Sequence, residues 1–204
     1  MSERSLRYCR GVVIVGRARP LAVEDRQSMI IDAVIPLLLE HGRAVTSKQI
    51  ADAAGIAEGT IFRAFGDKDS LISAALDRFF DPEPMRRELR AVDVTLPLEE
   101  KVRLFIIILR KRLTGIIGMM SMLGNTERPP GRPPELEFAT IIAEALSPDA
   151  QRLGWSGEKI AQLLRIIAFS ASVPGIGGDI FTVDELTHIV LYGITGVHPS
   201  TRKN

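Results

Sequence analysis

Cysteine is almost missing from this 204-residue chain, where Cys9 stands alone. A single thiol forms no intramolecular disulfide and supplies no cysteine-based zinc site. Long apolar runs are missing too: residues 105–109 form one of the longest, far short of the roughly 20 residues that a membrane-spanning helix needs. No membrane span is expected. The three histidines, His41, His188 and His198, are scattered, and neither a metal-ligand spacing nor a phosphate-cradling glycine loop occurs. No metal, cofactor or catalytic role is therefore expected, and Glu99 and Glu100 read as a solvated face. An excess of charge is also lacking, with 26 Lys and Arg against 25 Asp and Glu. That balance excludes a uniformly basic coat for nucleic acid but leaves room for a local basic surface. These features together fit a reducing, cytoplasmic compartment.

Apolar residues make up 46% of the chain and charged ones 25%, enough to bury a core and to exclude disorder over most of its length. Charge segregates only in residues 1–23, where Arg4, Arg7, Arg10, Arg17 and Arg19 oppose Glu3, a surplus of +4 that leaves −3 for the remainder. The apolar run at residues 12–15 is too short for the core of a signal peptide. Three readings of this leader stand side by side: a flexible segment, a basic arm that touches DNA, and an artefact of an upstream start codon.

Helical periodicity begins after Pro20. Glu24 and Asp25 suit the positive end of a helix, and Ile30, Val34, Leu37, Leu38 and His41 follow at three- and four-residue steps until Gly42 stops it. Pro36 inside this segment removes a hydrogen bond, so a bend is expected there. Next, Thr46 with Gln49 three residues on makes a capping box for a short helix that ends at Gly55. Residues 57–65 read as a second short helix, and residues 66–68 turn into a third that carries Leu71, Ala74, Ala75, Leu76 and Phe79. Two short helices joined by a tight glycine turn are the signature of a helix-turn-helix.

The chain beyond Asp81 stays helical and turns more apolar. Leu98, Val102, Phe105, Ile106, Leu109 and Leu113 mark one helix, continuing through Ile116, Ile117, Met119, Met120 and Met122. Four prolines make residues 124–134 a loop. Helices resume over 135–146, 157–172 and 183–194, separated by Pro148, Gly154 and Gly157, then by Pro174, Gly175, Gly177 and Gly178. With no internal repeat and no alternating strand, the expected fold is all α. The domains fall as a basic leader over 1–23, a three-helix helix-turn-helix unit over 24–68 and a larger helical unit over 69–204.

In a helix-turn-helix the second helix enters the major groove, so its exposed start should be small and polar while its other face docks on the preceding helix. Ala57, Glu58, Gly59 and Thr60 supply that start, whereas Ile56, Ile61 and Phe65 can pack on Ile50 and Ala54. Ala51, Ala54 and Gly55 are small enough for close approach.

With these residues in place, the segment over 46–71 resembles the DNA-binding domain of the TetR family of bacterial transcriptional regulators, through Ile50, Ala51, Ala54, Gly55, Ile56, Gly59, Thr60, Ile61, Phe65, Lys68 and Leu71. The matching stretch covers about a quarter of the chain. The resemblance implies an intracellular, nucleoid-associated homodimer, most simply a repressor that a small-molecule effector releases from a palindromic operator. It also implies dimerisation through the last two long helices, here 157–172 and 183–194. Two positions depart from the family pattern: Phe62 stands where tyrosine is usual, and Ala64 where histidine or tyrosine is common. Both family side chains typically reach the DNA backbone, so two phosphate contacts are in doubt here. Arg63 beside them can reach a phosphate or a guanine. A second reading follows from these departures: a helical ligand-binding or interaction protein whose helix-turn-helix no longer reads DNA.

The candidate DNA contacts are Thr46, Ser47, Lys48, Glu58, Gly59, Thr60, Phe62, Arg63 and Lys68. Thr46, Ser47 and Lys48 sit at a helix start that favours phosphate, although capping alone explains them equally well. Lys68 opens the following helix as a phosphate contact or as a solvated lysine. Glu58 can accept from cytosine, while Gly59 and Thr60 suit close backbone approach and a thymine methyl. In the larger unit, Phe105, Met119, Met120, Met122, Phe138, Trp155 and Phe169 are the candidates to line an apolar effector pocket; ordinary core packing accounts for the same residues. The segment over 157–172 is apolar nearly all round, as expected of a helix sandwiched between its own core and a partner subunit.

Overall fold

The computed structural model describes residues 23–124, 137–178 and 180–193. Among them are nine α-helices and no strand: α1 (Val23–His41), α2 (Ser47–Ala54), α3 (Glu58–Phe65), α4 (Lys68–Phe80), α5 (Glu83–Arg90), α6 (Leu98–Met122), α7 (Glu137–Leu146), α8 (Gly157–Ser170) and α9 (Val183–Tyr192). The arginine-rich leader up to residue 22 and the proline-rich segment over 125–134 lie outside the described residues.

The helices enclose two apolar cores. In the first, Ile30, Val34 and Leu38 of α1 recur every four residues and are wholly buried against Ile50, Ile61, Leu71, Ile72 and Ala75 of α2, α3 and α4. Helix α1 continues through Pro36. Its end is fixed by Gly42, whose φ of +57° favours glycine and which leads into a single 3-10 turn over Gly42–Ala44. The second core gathers Val102, Phe105, Ile106 and Leu109 of α6 with Phe138 and Ile142 of α7 and Ala161, Leu164 and Ala168 of α8. Helices α7 and α8 cross so closely that a Cβ on Gly157 would stand 2.7 Å from the Cα of Ala143.

Several boundaries differ from the sequence expectation, and the helix expected over 183–194 ends at Tyr192. The first core does not stop at residue 68: Leu71, Ile72, Ala75, Leu76 and Phe80 place the whole of α4 in it. It also recruits Met119 and Leu123 from the far end of α6. Between α4 and α6 a separate short helix, α5, forms after Pro82 and buries Leu89 in the second core. Helix α8 ends at Ser170 rather than at 172, and the Ser172 hydroxyl then donates to the Ala168 carbonyl at 2.6 Å.

Helix α6 therefore joins the two cores. Its 25 residues span about 37 Å at 1.5 Å per residue, with Leu98 and Val102 in the second core and Met119 in the first. Two contacts fasten its lower half to the N-terminal helices. Arg112 donates to the Phe79 carbonyl at 2.6 Å with its guanidinium 5.9 Å above the Phe79 ring, and the Met122 carbonyl lies against Gly42.

Candidate nucleic-acid interface and C-terminal cleft

Local chemistry fixes the first site. The Thr46 hydroxyl accepts from the Gln49 backbone N–H at 3.2 Å, and the Gln49 side-chain oxygen accepts from the Thr46 backbone N–H at 2.8 Å, completing the expected capping box. That oxygen also accepts from the Thr46 hydroxyl itself. Thr46 is thus engaged as a cap, while Ser47 and Lys48 follow in the first turn of α2, with Lys48 exposed. Gly55 closes α2 at φ +66°, and its N–H bonds back to Ala51 and Asp52.

That turn sets α3 across α2 with Ile61 fully buried and Glu58, Gly59, Phe62 and Arg63 exposed. Thr60 is half-buried between them. Arg63 lies back along its own helix, donating from Nε to the Gly59 carbonyl at 3.3 Å. Ala64 is half-buried, and its carbonyl accepts from Gln27 Nε2 at 2.8 Å, which pins α3 to α1. Lys68 is also tied inward: its ammonium donates to the carbonyls of Arg43 and Val45 at 3.3 and 3.2 Å, holding the start of α4 to the turn before α2. Asp67 caps α4, and the Ser70 backbone N–H that it accepts at 2.7 Å holds its carboxyl below the usual range.

Helix α3 and the start of α1 enclose a concavity of about 440 Å³, lined by Val23 and Arg26 of α1 together with Ile56, Ala57, Thr60, Arg63 and Ala64. Arg26 is the residue that sequence reasoning missed. It belongs to α1, 37 positions before Arg63, and nothing in local spacing brings the two together.

The seven aromatic and methionine candidates of the larger unit are dispersed. Phe105 is wholly buried in the second core, and Phe138 is buried there beneath the guanidinium of Arg165, 5.7 Å from its ring centre. Met119 and Met120 pack on the first core instead, and Met122 is exposed at the joint with α1. Phe169 is exposed on α8. Of the seven, Trp155 lines a cleft of about 560 Å³ formed by Leu98 and Val102 of α6, the segment over 152–155, Ile160 and Leu163 of α8 and Val190, Leu191 and Tyr192 of α9. Four separate elements supply these walls, which is why no sequence motif announced them.

One end of the cleft is polar. The Tyr192 hydroxyl donates to Glu99 at 3.0 Å, and Arg152 reaches Glu99 at 3.3 Å and Asp149 at 3.4 Å. Behind them Lys101, almost fully buried, donates to the carbonyls of Val94 and Ala145 and forms an ion pair with the Asp149 carboxylate. The Glu99 carboxyl is held below its usual range, first by its own backbone N–H and then by Tyr192 and Arg152. Burial and the bond to Glu99 push the Tyr192 phenol up. Two cations and two carboxylates thus neutralise each other around the cleft. Among the described residues no group of three potential ligands could hold a metal, and no helix is long and apolar enough to cross a membrane.

Comparison with known proteins bears on both halves. Residues 30–75 match the family model for bacterial regulatory proteins of the tetR family. The chain is 46% identical over 50 residues to the uncharacterized HTH-type transcriptional regulator YvkB of Bacillus subtilis, a match covering 24% of this chain and 26% of that protein. It is 39% identical over 57 residues to the HTH-type transcriptional repressor KstR2 of Rhodococcus jostii, covering 28% of each. These alignments span only about a quarter of the curated relatives' length. Over the whole fold, the chain is similar to a TetR transcriptional regulator of Streptomyces coelicolor, with a TM-score of 0.54 at 20% identity over 82% of this chain and 97% of that one. At that identity the likeness is one of fold.

Proposed function

From the match of residues 30–75 to the TetR-family model, we propose that this protein is a sequence-specific DNA-binding transcriptional regulator acting in the bacterial cytoplasm on the nucleoid, a repressor released from a palindromic operator by a small-molecule effector. The observation that carries the proposal is the presentation of α3. Its inner side is anchored by the fully buried Ile61, and its outer side offers Glu58, Gly59, Phe62 and Arg63 to solvent. A recognition helix needs that division.

The roles follow from position. Glu58, Gly59 and Thr60 at the start of α3 face base edges, while Arg63, Arg26, Lys48 and the free backbone N–H groups at the start of α2 face phosphates. Phe62 offers apolar contact in place of a hydroxyl. The protein works as a homodimer through α8 and α9, so that two copies of α3 meet successive half-sites. Effector release runs through α6: a ligand against Leu98 and Val102 bears on the same rigid helix whose far end sits in the DNA-binding core beside Gly42. Release requires that the ligand bind the two arrangements with different affinity.

Selection of genomic fragments by the purified protein at near-physiological salt, followed by footprinting, tests this. Enrichment of a palindromic site supports the regulator. Salt-sensitive binding without sequence preference, or none, overturns it in favour of a helical ligand-binding or interaction protein with a degenerate helix-turn-helix, the reading that Phe62 and the inward-tied Ala64 would then explain.

A further inference from the structure

We propose that the cleft between the start of α6, the 152–155 segment, α8 and the end of α9 binds an uncharged, mainly apolar small molecule bearing one acceptor oxygen, such as a ketone or an ester. The inference deepens the effector reading above and rests on it only in calling this molecule the effector.

Size comes first. A concavity of about 560 Å³ falls within the range of small-molecule sites, which are concave and mostly apolar with a few placed polar groups. Its walls are aliphatic, from Leu98, Val102, Leu153, Ile160, Leu163 and Leu191, so the body of the ligand is apolar. Trp155 stands at the rim, 61% exposed.

Charge then selects the head group. Every carboxylate at the polar end already has a cation: Lys101 faces Asp149, and Arg152 faces both Asp149 and Glu99. An anionic ligand on Arg152 would crowd the Glu99 carboxylate, which shares that cation and is held in place by the Tyr192 hydroxyl and its own backbone N–H. A cationic ligand would compete with Arg152 for Glu99. A neutral acceptor escapes both costs, because a guanidinium carries five N–H donors and the contacts of Arg152 to Glu99 and Asp149 are long, at 3.3 and 3.4 Å. Its oxygen can share Arg152 while Glu99 keeps its partners.

The chain holds a built-in reporter, since Trp155 is its only tryptophan. The test is titration of the full chain, followed by tryptophan emission, with two matched pairs of non-fluorescent probes: methyl nonyl ketone against decanoate, and adamantanone against adamantane carboxylate. The expected result is a saturable emission change in which a ketone binds about tenfold or more tightly than its matched carboxylate. Arg152→Met, which keeps an apolar stem and removes the donors, should erase most of that preference while helical circular dichroism is retained. Equal affinity, a preference for carboxylate, or no saturable change with either ketone overturns the proposal. So does an emission change that depends on protein concentration and not on probe, because a second copy of the chain would then fill the cleft. Operator release is read separately by footprinting. Ketone binding without release leaves the site standing and removes its effector role, whereas failure of the unliganded protein to select DNA refutes the regulator and leaves the cleft result untouched.

Discussion

At Lys68 one ammonium donates to two backbone carbonyls, those of Arg43 and Val45, from a half-buried position at the head of α4. The sequence offers the same group as a phosphate contact or as a solvated lysine, and an ammonium with three donors can hold both carbonyls and still meet a phosphate. The two roles separate by measurement. Lys68→Ala should cost about 1–2 kcal/mol in denaturant unfolding, toward the lower end for hydrogen bonds to a charged group because the site is partly exposed. It should also weaken binding to all DNA sequences alike. Arg26 makes the contrast. It lines the concavity beside Thr60 and Arg63, so Arg26→Ala should leave stability within about 0.5 kcal/mol and lower the salt slope of DNA binding by about one. A change of base preference for Arg26→Ala would remove it from the phosphate contacts. Thr60→Ala belongs to the other class and should alter preference at one base position in each half-site; uniform weakening across sequences would remove Thr60 from the base contacts.

Two glycines with nearly the same backbone angle separate local strain from contact between elements. Gly55, at φ +66°, ends α2 with open space around its missing side chain, so Gly55→Ala should cost only the left-handed penalty, about 1–2 kcal/mol. Gly42, at φ +57°, ends α1 where a Cβ would stand 2.6 Å from the Met122 carbonyl of α6. Gly42→Ala adds that collision to the strain, for a total of about 2–4 kcal/mol by thermal or denaturant unfolding. Equal losses at the two positions would show that α1 and α6 give way freely at their joint. The same contrast explains what could be read from sequence. The capping box of Thr46 and Gln49 and the Gly55 stop are formed by residues a few positions apart, so α2 and α3 were legible before any packing was known. Met119 and Met120 were not. They lie on a helix whose periodicity is uniform, and nothing local says that its last turns leave one core for the other. The cleft was illegible for a related reason, because its walls come from four elements and only Trp155 among the expected residues reaches it.

The proposed reading of a palindrome requires two recognition helices held at fixed separation, and with them a surface for a second copy. Helix α8 buries Ile160, Ala161, Leu164 and Ala168 in its own core yet leaves Ile166 and Phe169 61% and 52% exposed, and Ile176, Ile180 and Phe181, which follow in the chain, are exposed as well. Large apolar residues gathered on one side of a water-exposed helix mark an interface. Replacing Ile166 and Phe169 together by glutamate places two carboxylates on that surface without touching the buried face of α8. The double variant should sediment as a monomer with unchanged helical circular dichroism. Its affinity for the full operator should fall by about a hundredfold or more, since each recognition helix would then bind its half-site without the effective concentration that the partner provides. Its affinity for an isolated half-site should stay the same. A variant that remains dimeric would move the interface away from the exposed side of α8, and one that is monomeric with full operator affinity would detach dimerisation from DNA reading altogether.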